Sequence, residues 1–210
     1  HVSLSGVDTI STVPSHRWVL SQADNSTHGR QVALRSGHGG FSCGVELFDG
    51  AFFSVSPAEA TATDPQQRLL LEKGYHAFHG SDGGTLGERL IGVSIGIELQ
   101  DFLTITAQAP PNEYLATGSS LSIASGRLSF VLGLHGPCAA YVTACSSSLV
   151  AWHSARRWVQ FDGCSGAIAA GMNLLLIPRV SLALGLAGMT SETGRCHTFD
   201  ERANGYVRSE

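Results

Sequence analysis

The chain has 210 residues, of which 43% are hydrophobic and 14% are charged, and this composition is typical of a globular domain. Its 13 basic and 17 acidic residues give a net charge of −4 without a basic cluster, so we expect no nucleic-acid-binding surface. No apolar run approaches the roughly 18 residues of a membrane-spanning helix, so we also expect no membrane span.

The first half of the chain predicts a helix, a strand and a second helix. Asp64 has the chemistry of an N-cap, Pro65 suits the first helical position, and the apolar period continues the helix to about Phe78. Residues 90–98 predict a strand whose glycines allow a close approach of neighbouring backbone. Residues 121–132 predict another helix, which ends at a glycine.

The second half predicts a strand, a helix and a strand. The run Cys138–Ala144 is typical of a buried strand, and Ser146–Ser148 supply N-cap chemistry for the helix that follows. That helix has an apolar face formed by Ala151, Trp152, Ala155, Trp158 and Val159. The run Ala167–Ile177 predicts a strand buried on both faces. Alternating strands and helices indicate an α/β fold with a mostly parallel sheet.

Cys145 lies where the predicted strand changes into the predicted helix. A thiol at a helix N-terminus is close to unpaired backbone N–H groups and to the positive end of the helix dipole, which favour the thiolate. The alternative is a buried apolar cysteine, the usual environment of a free thiol. The five cysteines form no C-x-x-C pair, which argues against a disulfide framework and a zinc site and favours a cytoplasmic setting.

The segment TACSSSL at Thr143–Leu149 resembles the active-site segment of β-ketoacyl synthases, in particular of ketosynthase domains of type I polyketide synthases. Further blocks resemble this family in its own order, at residues 13–18, 48–72, 117–137, 167–178 and 194–210. Two positions depart from the family pattern: Val142 replaces an acidic residue and Ala170 replaces a glycine. The resemblance implies a thiolase-like layered αβαβα fold, of which this chain is the N-terminal half of the duplicated domain.

The resemblance also implies an activity. Cys145 is expected to carry an acyl group that undergoes decarboxylative Claisen condensation with a malonyl-type extender, in polyketide or fatty acid chain elongation. No cofactor or metal is implied, because phosphopantetheine of an acyl carrier protein presents the substrates. A homodimer is implied, paired through the strand that precedes Cys145. The family's first core strand and its two catalytic histidines lie outside residues 1–210, so we expect a partial domain that is inactive alone.

Other functions remain as alternatives at this point. One alternative is a non-catalytic ketosynthase-like dimerisation fragment. Another is a different thiolase-fold acyltransferase, such as a degradative thiolase or a chalcone-synthase-like protein. The segment Gly37–Gly40, GHGG, is similar to an oxyanion loop of α/β-hydrolases, but no G-x-S-x-G motif accompanies it, so we interpret it as a loop. Arg156 and Arg157 are more typical of a solvated helix face than of a carrier contact.

Overall fold

The computed structural model describes residues 7–20, 27–80, 90–98 and 100–210. The chain divides into two units, one of residues 44–173 and the other of residues 1–43 and 174–210. In chain order the elements are β1 (Ile10–Thr12), α1 (Thr27–Ser36), β2 (His38–Gly40), α2 (Pro57–Ala62), α3 (Pro65–Gly80), β3 (Ile91–Ile97), α4 (Gln100–Thr106), α5 (Leu115–Gly118), α6 (Leu121–Val131), β4 (Cys138–Tyr141), a 3₁₀ turn (Ala144–Ser146), α7 (Ser147–Phe161), β5 (Gly166–Met172) and α8 (Arg179–Leu186).

The unit of residues 44–173 is built on a parallel sheet in the order β4-β3-β5. The central strand β3 is buried, with Val93, Ile95 and Ile97 at most 1% exposed. Because alternate side chains of a strand point to opposite faces, these three residues lie on the face covered by α3 and α6, where Leu70 and Leu128 join them in the core. The predicted mostly parallel α/β arrangement is confirmed.

The opposite face of β3 carries Gly92, Ser94 and Gly96, and α7 packs there. The Ser94 hydroxyl donates a hydrogen bond to the Ala151 carbonyl of α7, at 2.7 Å between the oxygens. Ala151 is fully buried in this contact. The sheet therefore separates two helical layers, and the helix that follows Cys145 rests directly on the central strand.

The predicted start of α3 is confirmed. The Asp64 carboxylate accepts a hydrogen bond from the Gln66 backbone N–H at 2.7 Å, and Pro65 occupies the first helical position. The helix continues to Gly80, two residues beyond the prediction. Helix α6 is confirmed as well, and it is followed by Gly133 with a φ of +62°, a conformation that favours glycine.

The burial predicted for the two outer strands was wrong. Strand β4 ends at Tyr141 rather than Ala144, its first residue Cys138 is exposed, and the other three are only partly buried. Strand β5 ends at Met172 and is partly exposed along its length. Each of them pairs with β3 alone among the described strands, so one edge of each strand lacks a neighbour there. Apolar composition predicts the strands but not their place in the sheet.

The unit of residues 1–43 and 174–210 contains the antiparallel pair β1–β2 and the packed helices α1 and α8. The predicted loop at Gly37–Gly40 was wrong, because residues 38–40 form β2. Arg17 and Glu210 form a two-pronged ion pair with side chains 9% and 1% exposed. The same carboxylate accepts hydrogen bonds from the backbone of Ser42 and Leu175, so it ties together separate segments of this unit. Among the described residues, no helix has the length and apolar character that crossing a membrane requires.

Candidate functional site

Cys145 is the middle residue of the 3₁₀ turn between β4 and α7, and it is exposed. The carboxyl end of the parallel strand β4 thus leads within a few residues into the N-terminus of a 15-residue helix. The positive end of the helix dipole and the first backbone N–H groups of the helix lie at this position, where they stabilise negative charge. The predicted strand-to-helix junction at Cys145 is therefore present, with the 3₁₀ turn inserted.

The serines of this junction act differently from the prediction. Ser146 precedes α7 in a helical backbone conformation, and its side chain makes no capping hydrogen bond to the helix. Its hydroxyl instead donates to the Thr143 carbonyl at 2.7 Å. The Ser147 hydroxyl accepts a hydrogen bond from the Thr143 backbone N–H and donates one to the Ala144 carbonyl, both at 2.8 Å. These two serines stabilise the turn that contains Cys145 by hydrogen bonds, and they do not cap the helix.

Ala144, directly before Cys145, has a φ of +52°. This left-handed conformation brings the Cβ of an L-residue close to its backbone and costs about 1–2 kcal/mol. Strained backbone of this kind concentrates at functional sites, where the surrounding structure enforces it. This feature could not be predicted from the sequence, because an alanine carries no signal for a positive φ.

Two glycines of the sheet lie directly beneath the start of α7. A Cβ added to Gly96 of β3 would lie 2.5 Å from the Ser147 carbonyl carbon and 2.6 Å from the Ser148 nitrogen. A Cβ added to Gly171 of β5 would lie 2.6 Å from the Ser148 Cβ. The absence of side chains at these positions lets the helix start, and the turn before it, approach the sheet. The prediction that glycines of the 90–98 strand permit close backbone contact is confirmed.

The departure at Ala170 has no consequence for this contact. Ala170 pairs with Ile95 in register and packs against the core on the face opposite to α7. Of the pair Ala170 and Gly171, the glycine is the residue beneath the helix. Val142, the other departure, is 47% exposed.

The apolar face predicted for α7 is only partly the buried face. Ala151 and Ala155 are buried, and the Trp158 ring lies against Gly92, where an added Cβ would be 2.7 Å from a ring carbon. Trp152 and Val159 are 53% and 43% exposed and belong to an outer flank of the helix. Small residues face the sheet because the glycines of β3 and β5 bring the helix axis close to it.

The other cysteines have different surroundings. All five thiols are unpaired, and Cys164 is buried, which raises the pKa of its thiol. Cys43 and Cys196 are exposed but do not lie at the start of a helix, and Cys138 lies at the start of β4. Exposure does not distinguish Cys145 from the other exposed cysteines, but its position directly before the N-terminus of α7 does. No group of three metal-binding side chains occurs in the described ranges.

A cavity of about 240 Å³ lies elsewhere in the same unit. It is lined by Phe52, Phe53, Tyr75, His79, Val131 and Leu132. The two phenylalanines precede α2, Tyr75 and His79 lie near the end of α3, and Val131 and Leu132 lie at the end of α6. Cys145 does not line the cavity. The cavity is therefore separate from the candidate nucleophile.

Comparison with known proteins gives a consistent assignment. The family model "Beta-ketoacyl synthase, N-terminal domain" matches residues 3–210. One polypeptide of the phenolphthiocerol/phthiocerol polyketide synthase of Mycobacterium tuberculosis is 39% identical over 99% of this chain, which spans 14% of that polypeptide. A second polypeptide of the same synthase is 40% identical over 98% of this chain, which spans 11% of it.

Solved structures agree with these relatives. The ketosynthase from module 6 of the bacillaene synthase from Bacillus subtilis matches with a TM-score of 0.82 and 33% identity, over 99% of this chain and 34% of that one. An oxazolomycin ketosynthase domain from Streptomyces albus matches with a TM-score of 0.81 and 29% identity, over 97% of this chain and 36% of that one. The predicted thiolase-like α/β fold is confirmed.

Proposed function

Because this chain belongs to the β-ketoacyl synthase family, we propose that it supplies the acylation nucleophile, Cys145, of a condensing enzyme in polyketide chain elongation. The observation that carries the proposal is the exposure of Cys145 in a hydrogen-bonded turn that directly precedes the N-terminus of α7. Polyketide rather than fatty acid elongation is favoured because the similar proteins named above are polyketide synthases or their ketosynthases. Those names equally favour condensation over degradative thiolysis.

In the proposed reaction the Cys145 thiolate attacks the carbonyl carbon of an acyl thioester. The tetrahedral intermediate collapses with loss of the carrier thiol, which takes up a proton and leaves the acyl group on Cys145. In this proposal the oxyanion is stabilised by the backbone N–H of Cys145 in the 3₁₀ turn and by the first N–H groups of α7. In the second half-reaction a malonyl-type extender loses CO₂, its carbanion attacks the acyl carbonyl, and the Cys145 thiolate departs.

The remaining parts of the proposal concern the setting of this site. We propose that the chain is the N-terminal part of a ketosynthase domain, supported by the match to an N-terminal domain model and the 34% of a ketosynthase chain that it spans. The substrates would be presented on the phosphopantetheine of an acyl carrier protein, without a cofactor of the ketosynthase itself. The five unpaired cysteines agree with a reducing, cytoplasmic location.

The test of the nucleophile is chemical labelling of the full-length natural protein. Incubation with an acyl thioester followed by peptide mass mapping is expected to find the acyl group on Cys145, while the exposed Cys43 and Cys138 stay unmodified. Replacing Cys145 with Ala should remove the label without creating a new one. Acylation of another cysteine with Cys145 unmodified would refute the assignment.

We also propose a homodimer that pairs through β4. This strand has no partner on its outer edge within the described residues, and its small residues Ala139 and Ala140 suit close pairing about a two-fold axis. Ala140 packs against the core, so a charge there would disturb the unit itself, whereas Cys138 is exposed on the same strand.

The dimer predicts a difference between two exposed cysteines. Cys138→Asp places two like charges at the paired edge and should convert the full-length protein to monomers in light scattering at micromolar concentration. Cys43→Asp, an equal change in the other unit, should leave the dimer intact. A stable Cys138→Asp dimer would mean that β4 is not the interface.

A further inference from the structure

The hydroxyl of Ser147 occupies a special place in the turn around Cys145. It accepts a hydrogen bond from the Thr143 N–H and donates one to the Ala144 carbonyl. The Ser147 side chain thus links α7 to Thr143 and Ala144, the two residues that precede Cys145. The chain between these contacts contains the left-handed Ala144 and Cys145 itself.

The backbone of Ser147 is in turn fixed by the sheet. Gly96 of β3 lies so close to the Ser147 carbonyl that an added Cβ would overlap with it. One turn further along α7, the Ala151 carbonyl accepts a hydrogen bond from the buried Ser94 of the same strand. The hydroxyl of Ser147 is consequently held on a rigid element, while Thr143 and Ala144 lie in the connection between β4 and α7.

We propose that Ser147 is a positioning residue, whose hydroxyl holds Ala144 in its left-handed conformation and thereby aims the Cys145 thiol. The proposal rests on the proposed function of Cys145 as the acylation nucleophile. Without the hydroxyl, Ala144 loses one of the contacts that oppose its relaxation to a negative φ, and the thiol moves relative to the N–H groups of α7. Acyl transfer depends on that alignment in its tetrahedral transition state, whereas alkylation by a small reagent needs an exposed, ionised thiol but no aligned oxyanion donors.

Ser148 provides a matched control. It is the next residue of α7 and is exposed, and its hydroxyl forms no hydrogen bond in the part of the chain that the structure describes. Replacing it with Ala removes the same atom from the same helical turn without removing a contact to Thr143 or Ala144.

The experiment measures two rates on Cys145 in the full-length protein, acylation by an acyl thioester and alkylation by iodoacetamide. Ser147→Ala is expected to slow acylation by about 10- to 100-fold, the range for a displacement of about 1 Å or less, and to change alkylation by less than about 3-fold. Ser147→Thr, which keeps the hydroxyl, should restore most of the acylation rate, and Ser148→Ala should behave as the parent.

Each other outcome has a definite meaning. Acylation of Ser147→Ala at the parent rate, equal losses in Ser147→Ala and Ser148→Ala, or no recovery in Ser147→Thr would overturn the positioning role. A parallel fall of acylation and alkylation would also overturn it, because it would indicate general loosening of the helix start. If the parent protein is not acylated on Cys145 at all, the proposed function fails instead, and that result is distinct from any difference among the variants.

Discussion

Gly96→Ala should displace the start of α7 and disable the candidate nucleophile. The new Cβ would meet the backbone of Ser147 and Ser148 at 2.5–2.6 Å, and backbone atoms cannot yield as the end of a flexible side chain can. Overpacking of this kind costs about 1–3 kcal/mol, and we expect the upper part of that range. A displacement of the helix start by about 1 Å should lower the acylation rate of Cys145 by about 100-fold.

Thermal or urea unfolding and the rate of Cys145 acylation check this expectation together. Gly166→Ala is the matched control, because Gly166 lies in β5 of the same sheet and an added Cβ there meets nothing within 4 Å. The control should keep the parent stability within about 1 kcal/mol and the parent acylation rate. A Gly96→Ala protein with parent stability and full acylation would show that α7 does not rest on this glycine.

Asp64→Asn should stabilise the protein at neutral and alkaline pH. Asp64 is completely buried, and burial raises the pKa of its carboxyl from 3.8 to about 6, against the opposing effect of the Gln66 N–H. Arg68 lowers this pKa and Asp101 raises it. Its Oδ2 atom has no hydrogen-bond partner among the described residues. The ionised carboxylate is therefore poorly stabilised where it lies.

The sign of the pH dependence follows from the raised pKa. The folded chain holds the proton of Asp64 more tightly than the unfolded chain. The contribution of Asp64 to the free energy of unfolding is therefore fully present below pH 3.8 and is lost as pH rises through about 6. Above that pH the loss amounts to about 3 kcal/mol. Asn keeps an oxygen that accepts a hydrogen bond from the Gln66 N–H. Its amide does not ionise, so it does not lose stability as the pH rises. The variant should thus be up to about 3 kcal/mol more stable than the parent at pH 8, and nearly equal to it at pH 4.

Urea unfolding between pH 4 and 8 measures this difference. Asp200→Asn is the control, because Arg202 lowers the pKa of the partly exposed Asp200 to about 2. Asp200 is then ionised in both the folded and the unfolded chain from pH 5 to 8, so the effect of its replacement should not vary with pH in that window. An advantage of Asp64→Asn that is constant or grows toward acid pH would contradict the raised pKa.

Features that depend on a few neighbouring residues could be predicted from the amino-acid sequence. Asp64 and Pro65 specify the start of α3 because an N-cap oxygen and a fixed proline φ act within one turn. A glycine after α6 supplies the positive φ that ends it. The segment around Cys145 was sufficient to predict the junction of strand and helix, and its match to a family pattern predicted the fold.

The way in which that junction is held depends on tertiary contacts. Serine is a common N-cap residue, and sequence alone therefore predicts that role for Ser147 and Ser148. In the folded chain the Ser147 backbone lies against Gly96 of β3, and its hydroxyl forms hydrogen bonds with Thr143 and Ala144 instead. The burial of β4 and β5 likewise depends on which strands become their neighbours. Contacts between segments distant in the chain set these features, and neither propensity nor hydrophobic period encodes them, because both describe a residue only relative to its own helix or strand.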